Sequence, residues 1–179
     1  FDRRRNRFIH YHHSEDPSSI SSNSVRSVYE DSRGAIWVGT ADGGLNSFDK
    51  NAETFIRYLS DESDPTSLSH NRVGPIVEDL HGGLWIGTMG GGLNYLDKGH
   101  FQRFGNAPVH DHVLSSNLVF ALALDNAGTL WIGTIGGGIV SYNPSTRVAA
   151  NRVAVNYNND PANPRSLSDD NVRSFLFDI

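Results

Sequence analysis

Two glycine-rich segments are the first places in this sequence where the residue types could bind a phosphate. They are Gly-Thr-Met-Gly-Gly-Gly at 87–92 and Gly-Thr-Ile-Gly-Gly-Gly at 133–138. A phosphate-binding loop leads into a helix N-terminus and carries a lysine, whereas here no lysine follows and strand-forming residues come next. We therefore interpret both segments as tight turns in which glycine supplies a positive φ.

Histidines are the second group whose spacing could do chemistry. His10, His12 and His13 lie close together, and residues 110–112 form a His-Asp-His group. Alternate residues of a strand share one face, so His10 and His12 could hold a metal ion there. The sequence identifies no third ligand, and exposed polar residues are the simpler interpretation. Neither a metal site nor a cofactor is therefore predicted.

Three aspartates recur at one position of a repeated pattern: Asp31, Asp79 and Asp125. Paired carboxylates can act as general acid and base, but a catalytic group is needed once per site, whereas a turn residue is needed in every hairpin. The chain contains no Gly-x-Ser-x-Gly elbow and no other nucleophile–base motif. These aspartates are predicted to form turns, and the chain is not expected to be an enzyme.

The pattern around these aspartates is a repeated unit of four short strands. All three tryptophans occupy one slot of the unit, 48 residues apart (37 to 85) and then 46 residues apart (85 to 131). Each strand is rich in β-branched or aromatic residues and is bounded by Gly, Asp, Asn or Pro. The strands predicted in the first unit are 25–30, 36–40, 45–48 and 55–59. Four strands in about 40–50 residues are typical of a β-propeller blade.

The number of repeats predicts an arc and not a closed ring. One outer strand near the start, three full units and a last strand at 172–177 make fourteen strands, whereas a closed four-bladed ring needs sixteen. We predict an all-β propeller segment with about three complete antiparallel blades and no internal domain boundary. Its predicted units are 12–59, 60–104 and 105–157, with partial units at 1–11 and 158–179.

The composition excludes several classes of partner. The chain has 179 residues, no cysteine and a formal net charge of -5. Because no basic face is available to contact phosphates, a nucleic-acid partner is not expected. No apolar run approaches the ~18 residues that a membrane helix needs. Contact with a membrane is therefore expected only through parts of the protein outside this sequence.

One combined motif, Asp-x-x-Gly-x-Leu-Trp-Ile-Gly-Thr-x-x-Gly-Gly-Leu, stands at 79–93 with close copies at 31–45 and 125–139. It resembles the two-component regulator propeller repeat. The resemblance implies the periplasmic sensor of a membrane receptor whose output is a histidine kinase, a hybrid kinase–regulator of a phosphorelay, or a diguanylate cyclase. It also implies a carbohydrate or another small molecule as the signal.

Positions that vary within the repeat are the candidate ligand contacts. Arg26, Arg72, Phe120 and Arg173 each neighbour the repeated valine that begins a unit's first strand. If that strand lines the propeller axis, Arg26 and Arg173 lie near the mouth of the channel, on the face formed by the loops between units. The alternative is that the arginines only solvate a rim.

Three functions remain open at this point. The leading hypothesis is a sensory, ligand-binding propeller. The second is a structural or docking propeller that binds the remaining blades, a partner chain or a homodimer mate. The third is a propeller enzyme such as a lyase, which would break the pattern in one blade with clustered catalytic residues. We also expect apolar surface at the open ends, 8–11 and 172–177, and this surface would pair with another molecule.

Overall fold

Three four-stranded antiparallel sheets make up the part of the chain that the computed structural model describes, residues 6–105, 114–144 and 154–177. Blade 1 consists of β1 (Val25–Glu30), β2 (Ile36–Thr40), β3 (Leu45–Asp49) and β4 (Thr54–Tyr58). Blade 2 consists of β5 (Val73–Glu78), β6 (Leu84–Thr88), β7 (Leu93–Asp97) and β8 (His100–Phe104). Blade 3 consists of β9 (Val119–Leu124), β10 (Leu130–Thr134), β11 (Ile139–Tyr142) and β12 (Ala154–Tyr157). The predicted all-β class and the three complete blades are confirmed.

Each blade is a simple up-and-down meander, because the order of its strands in the sheet is their order in the chain. The connections are short turns whose chemistry the sequence predicted. Asp31 Oδ1 accepts the backbone N–H groups of Arg33 at 3.0 Å and Ala35 at 2.8 Å, which closes the β1–β2 turn. In the β6–β7 turn, Gly90 and Gly92 have φ of 137° and 77°. Both glycine-rich segments therefore connect strands, as predicted.

The hydrophobic core lies between neighbouring blades. Trp37 shares a buried cluster with Leu84 of blade 2. Trp85 meets the ring of Tyr142 in blade 3 edge-on, with 5.7 Å between the centroids. Each of these tryptophans therefore faces the following blade. Trp131 is only half-buried and stacks on Tyr157 of its own blade, because no fourth sheet covers it in the described residues.

A glycine two residues after each tryptophan lets the next blade approach closely. A Cβ added to Gly39 would lie 2.7 Å from Cγ1 of Val73, and one added to Gly87 would lie 2.6 Å from Cγ1 of Val119. Real Cβ atoms do not reach such distances without displacing their neighbour, so a side chain here would push the blades apart. The repeated Trp-x-Gly pair is therefore a packing device between blades.

The structure contradicts the prediction of fourteen strands, since twelve form in the described residues. The segment 172–177 is not a strand, and neither is 8–11. A strand needs a neighbouring ladder to satisfy its backbone, and neither segment has a partner strand of its own blade. Val172 nevertheless docks on blade 3, where its N–H donates to the Thr134 carbonyl at 2.9 Å.

Smaller differences concern strand ends and the predicted apolar ends. β3 extends one residue further than predicted, and β4 begins and ends one residue earlier. Tyr11 is not without a partner, because its ring packs edge-on against Phe48 and Phe55 of blade 1. Leu176, by contrast, is 91% exposed. The boundaries of the five repeat units stay a prediction.

Candidate functional site

The first strand of each blade carries a β-bulge at the end where it begins. In β1, Val25 and Ser27 pair with two successive residues of β2, which leaves Arg26 between them as the extra residue. In β9, Phe120 is left out in the same way. A bulge turns its extra side chain away from the direction that the pleat would impose. Two of the four predicted ligand residues therefore occupy one special position of the fold.

Blade 2 has no large side chain at this position. Its bulge contains Gly74 and Pro75, which lie between the paired residues Val73 and Ile76. Proline has no N–H to donate to the ladder, so a bulge is where a strand tolerates it. A Cβ on Gly74 would lie 3.5 Å from Cε of Met89, so the side chain of Met89 reaches this position from the β6–β7 turn.

Met89 joins two of the predicted arginines. Nη1 of Arg26 donates to Sδ of Met89 at 3.1 Å, across the boundary between blades 1 and 2. The backbone N–H of Met89 donates to the carbonyl of Arg72 at 2.9 Å. Both arginines are exposed, whereas Met89 is buried. The sequence analysis missed Met89, although it is the only methionine of the chain and replaces Ala41 of blade 1.

The other two predicted residues also meet. The guanidinium carbon of Arg173 lies 5.8 Å from the centroid of the Phe120 ring, within the range of a cation–π contact. Arg173 is exposed and Phe120 is half-buried. We call the surface formed by Arg26, Arg72, Met89, Phe120 and Arg173 the bulge face. Whether it binds a ligand stays a prediction.

Two arginines of the outer strands hold the Asp-Pro loops that lead into blades 1 and 2. In blade 2, Nε of Arg103 donates to the Ser67 carbonyl at 2.9 Å, and Nη2 donates to the Asp64 carbonyl at 2.8 Å. Arg57 binds the loop before blade 1 in the same manner. The sequence indicates that the arginine and the Asp-Pro pair occur together. Blade 3 has Asn156 in the arginine position, and the residues that precede blade 3, 106–113, contain no Asp-Pro pair.

The turn aspartates differ between the blades in one respect. Oδ2 of Asp125 accepts the indole N–H of Trp131 at 2.9 Å, and Asp31 accepts that of Trp37 at 3.0 Å. This bond from Trp131 is the main cause that lowers the pKa of Asp125. In blade 2 the indole N–H of Trp85 is buried and has no hydrogen-bond partner among the described residues. Within the described ranges, the interface between blades 2 and 3 therefore lacks the tryptophan–aspartate hydrogen bond that is present between blades 1 and 2.

The described histidines do not assemble a metal site. The rings of His10 and His12 stack with 6.1 Å between centroids. Across 6–105, 114–144 and 154–177, no three His, Asp or Glu side chains are grouped as metal ligands. The His-Asp-His group at 110–112 lies outside the described residues.

The repeat and the fold identify relatives of this chain. The sequence profile of the two-component regulator propeller matches residues 19–42 and 113–136, which contain the lead-in, first strand, aspartate turn and tryptophan of blades 1 and 3. These two segments are therefore two-component regulator propeller repeats. No curated protein sequence is significantly similar to the chain. Among the described residues, no helix is long and apolar enough to span a membrane.

Two solved structures from B. thetaiotaomicron are similar over most of this chain. One is the extracellular domain of a hybrid two-component system, with 28% identity, a TM-score of 0.71, and coverage of 84% of this chain and 21% of that chain. The other belongs to a second hybrid two-component system, with 28% identity, a TM-score of 0.67, and coverage of 83% and 20%. The chain thus spans about a fifth of those domains.

A likeness to a propeller enzyme concerns the fold alone. Virginiamycin B lyase from Staphylococcus aureus has 14% identity and a TM-score of 0.55, with coverage of 74% of this chain and 40% of that chain. At this identity the shared feature is the arrangement of blades, and chemistry is carried by sites and not by folds.

Proposed function

We propose that this chain is part of an extracytoplasmic, periplasmic propeller that senses a ligand for a two-component signalling receptor. The observation that carries the proposal is the combination of the repeat match with 28% identity to extracellular domains of hybrid two-component systems. The output, which we expect to be a histidine kinase acting in a phosphorelay, and the membrane segment belong to other parts of the parent protein. This propeller itself performs no catalysis in the proposal.

The ligand site that we propose is the bulge face, with Arg26, Arg72, Phe120 and Arg173 as its contacts. Exposed guanidinium groups present several donors in a fixed geometry, which suits hydroxyl and carboxylate oxygens. The half-buried ring of Phe120 offers an apolar surface to a sugar or another flat molecule. A carbohydrate or another small molecule is therefore the proposed signal.

The proposed partners of the propeller are its remaining blades. Trp131 is half-buried and stacks on Tyr157, itself 42% exposed, whereas the equivalent Trp85 is 2% exposed beneath blade 3. A further blade would cover Trp131 as blade 3 covers Trp85, and a homodimer mate is the second candidate. Without such a cover we expect this segment to associate in solution. Light scattering tests this: a stable monomer would contradict the proposal, and monomers formed after adding the next blade would support it.

The location can be tested with the parent gene. Alkaline phosphatase fused after residue 179 becomes active only outside the cytoplasm, so an active fusion is expected. A cytoplasmic reporter at the same position should be inactive under the same expression. The opposite result would place the propeller in the cytoplasm and contradict the proposed sensor.

The ligand site can be tested with a panel of neutral and acidic oligosaccharides. We expect one class to raise the melting temperature of the chain, and we expect R26A/R173A to abolish the rise. Arg165→Ala is the matched control, because Arg165 is exposed and its side chain makes no hydrogen bond among the described residues. A ligand whose effect survives in R26A/R173A would show that the bulge face is not the site.

A further inference from the structure

A cleft of about 700 Å³ lies between blades 2 and 3, on the face opposite the bulge face. It opens beside the β5–β6 and β7–β8 turns, whereas the bulge face lies beside the β6–β7 turn. Its wall combines the aromatic residues Trp85, Tyr95 and Tyr142 with the carboxylates of Asp79 and Asp97. A cavity of this size suits a small molecule.

The boundary between blades 1 and 2 shows how the same place is closed elsewhere in the molecule. There the backbone N–H of Ser32 donates to Oε2 of Glu78 at 2.7 Å, and its hydroxyl donates to Oε1 at 2.8 Å. The backbone N–H of Glu78 in turn donates to the hydroxyl of Tyr29 at 3.2 Å. These bonds join the two blades across the position that the cleft occupies at the next boundary.

At the boundary between blades 2 and 3, none of these polar groups is present. The residue equivalent to Ser32 is Leu80, which is 79% exposed, and the residue equivalent to Glu78 is Leu124. Val77 stands in the position of Tyr29. The cleft is therefore open because of three substitutions within the repeat, while the strands around it keep the same arrangement.

The cleft also contains polar groups whose bonding is incomplete. Trp85 is 2% exposed, and within the part of the chain that the structure describes its indole N–H has no hydrogen-bond partner, although its counterparts in blades 1 and 3 bond to the turn aspartate. Asp79 uses only Oδ1, which accepts the N–H groups of His81 and Gly83. A buried donor without an acceptor destabilises the fold, so a site that retains one calls for an explanation.

The charges of the cleft indicate the class of ligand. Within the described residues its wall contains two carboxylates, Asp79 and Asp97, and neither lysine nor arginine, and neither carboxylate forms an ion pair. Aromatic faces beside carboxylates attract a cation by two additive effects, cation–π attraction and charge-assisted hydrogen bonds. The same arrangement repels an anion.

We propose that this cleft is a second binding site, which takes a small organic ammonium compound that also carries hydroxyl groups. The ammonium group binds Asp79 and Asp97 against the aromatic wall. A hydroxyl oxygen beside it supplies the acceptor that Trp85 lacks. The bulge face plays no part in this site, so the inference does not depend on the proposed ligand site there.

Three probes with the same ring and different charges test the proposal by calorimetry on the full chain: glucosamine, glucose and glucuronate. Glucosamine is expected to bind at least about tenfold more tightly than glucose, since one charged hydrogen bond contributes about that factor. Glucuronate is expected not to bind. Equal binding of glucosamine and glucose, or no measurable binding of glucosamine, would overturn the proposal.

Variants locate the site. Asp97→Asn should weaken glucosamine binding about tenfold or more, whereas Asp49→Asn, the equivalent change in blade 1, should leave it unchanged. Ala127→Trp should abolish binding by filling the cleft, and the turn accommodates a large side chain because the same slot holds Arg33 and His81 in the other blades. Far-UV circular dichroism confirms that each variant folds. Unchanged affinity in D97N, which is an exposed position, would show that glucosamine binds elsewhere.

Discussion

At the scale of single residues, the repeated aspartate of the β-turn forms two kinds of hydrogen bond in blades 1 and 3 and only one kind in blade 2. In every blade its Oδ1 accepts backbone N–H groups of the turn. In blades 1 and 3 its Oδ2 also accepts the indole N–H of the tryptophan of the same blade. In blade 1, where Trp37 packs against blade 2, a single carboxylate thus connects the turn to the core between blades.

Two isosteric substitutions separate the contribution of the turn bonds from that of the indole bond. Asp31→Asn keeps an oxygen for the turn but loses the acceptor for Trp37, so we expect it to lower the free energy of unfolding by about 1–2 kcal/mol. Asp79→Asn has no tryptophan bond to lose, and a change within about 0.5 kcal/mol is expected. Urea unfolding monitored by circular dichroism measures both. Equal losses would show that the indole bond contributes nothing.

The same carboxylates make stability depend on acid pH. The pKa of Asp125 is lowered mainly by the Trp131 bond and then by the Thr129 N–H; for Asp31, burial raises the pKa, but the bonds from Trp37, Ala35 and Arg33 outweigh it. A carboxylate whose pKa is lower in the folded state stabilises the fold above its unfolded pKa of about 3.9. That contribution is lost as the pH falls through the folded pKa.

We therefore expect the free energy of unfolding to fall below about pH 4. The double variant D31N/D125N should be less stable at neutral pH and should lose less of its remaining stability in acid. Urea unfolding between pH 2.5 and pH 7 would measure both changes in stability. A variant whose acid loss matches that of the parent chain would show that other carboxylates control the transition.

At the scale of elements, the loops between blades are held by side chains of the outer strands. The guanidinium group of Arg103 donates to four backbone carbonyls of the loop before blade 2, those of Asp61, Asp64, Ser67 and Leu68. Hydrogen bonds from Thr66 to Asp64 shape the same loop and lower the pKa of Asp64. The loop that leads into the first strand of blade 2 is therefore held in one conformation by side-chain hydrogen bonds.

Removal of this arginine should loosen the loop and leave the blades intact. We expect Arg103→Ala to cost about 2 kcal/mol, because several charged hydrogen bonds are lost, among them those to the carbonyls of half-buried Ser67 and buried Leu68. Cleavage within residues 61–67 by a nonspecific protease should become faster. Arg165→Ala is the control, with a change within about 0.5 kcal/mol. Unchanged cleavage in R103A would mean that the loop holds its shape without the arginine.

At the scale of the whole molecule, stability comes from contacts between consecutive blades. Blade 1 contacts blade 2 through β5, blade 2 contacts blade 3 through β9, and in the described residues the three sheets leave the ring open. In such repeat architectures each unit is stabilised by its neighbours. The same residue therefore contributes differently at an inner boundary and at an outer face.

Substitutions of two tryptophans, Trp85 at an inner boundary and Trp131 at an outer face, measure this difference directly. Trp85→Ala should cost ~3–5 kcal/mol, because it removes a ring buried between two blades. Trp131→Ala should cost clearly less in this chain, since its ring is half-buried, and its cost should rise towards that of Trp85→Ala when a following blade is added. Chemical unfolding of the short and extended chains compares the two. Equal costs in the short chain would mean that Trp131 is already covered.

Much of the fold could be predicted from the sequence because its determinants are local. The strand at 25–30 and the strand at 36–40 were predicted with their observed limits, since an Asp-x-x-Gly turn separates two β-rich runs. The four predicted ligand residues flank the repeated valine, and the structure joins them in two contacting groups, Arg26–Met89–Arg72 and Phe120–Arg173. The bulges could not be predicted, because a bulge is a property of the register between two strands.

By itself the sequence determined the class of the fold, the number of complete blades and the family of its repeats, because turn chemistry and the tryptophan spacing are written within each unit. Only the tertiary structure decided that the segments 8–11 and 172–177 do not become strands, since a strand forms only beside a partner. It also decided that blades 1 and 2 are joined by Glu78 while a cleft separates parts of blades 2 and 3. That difference depends on pairs of residues from different units, which meet only when the blades stack.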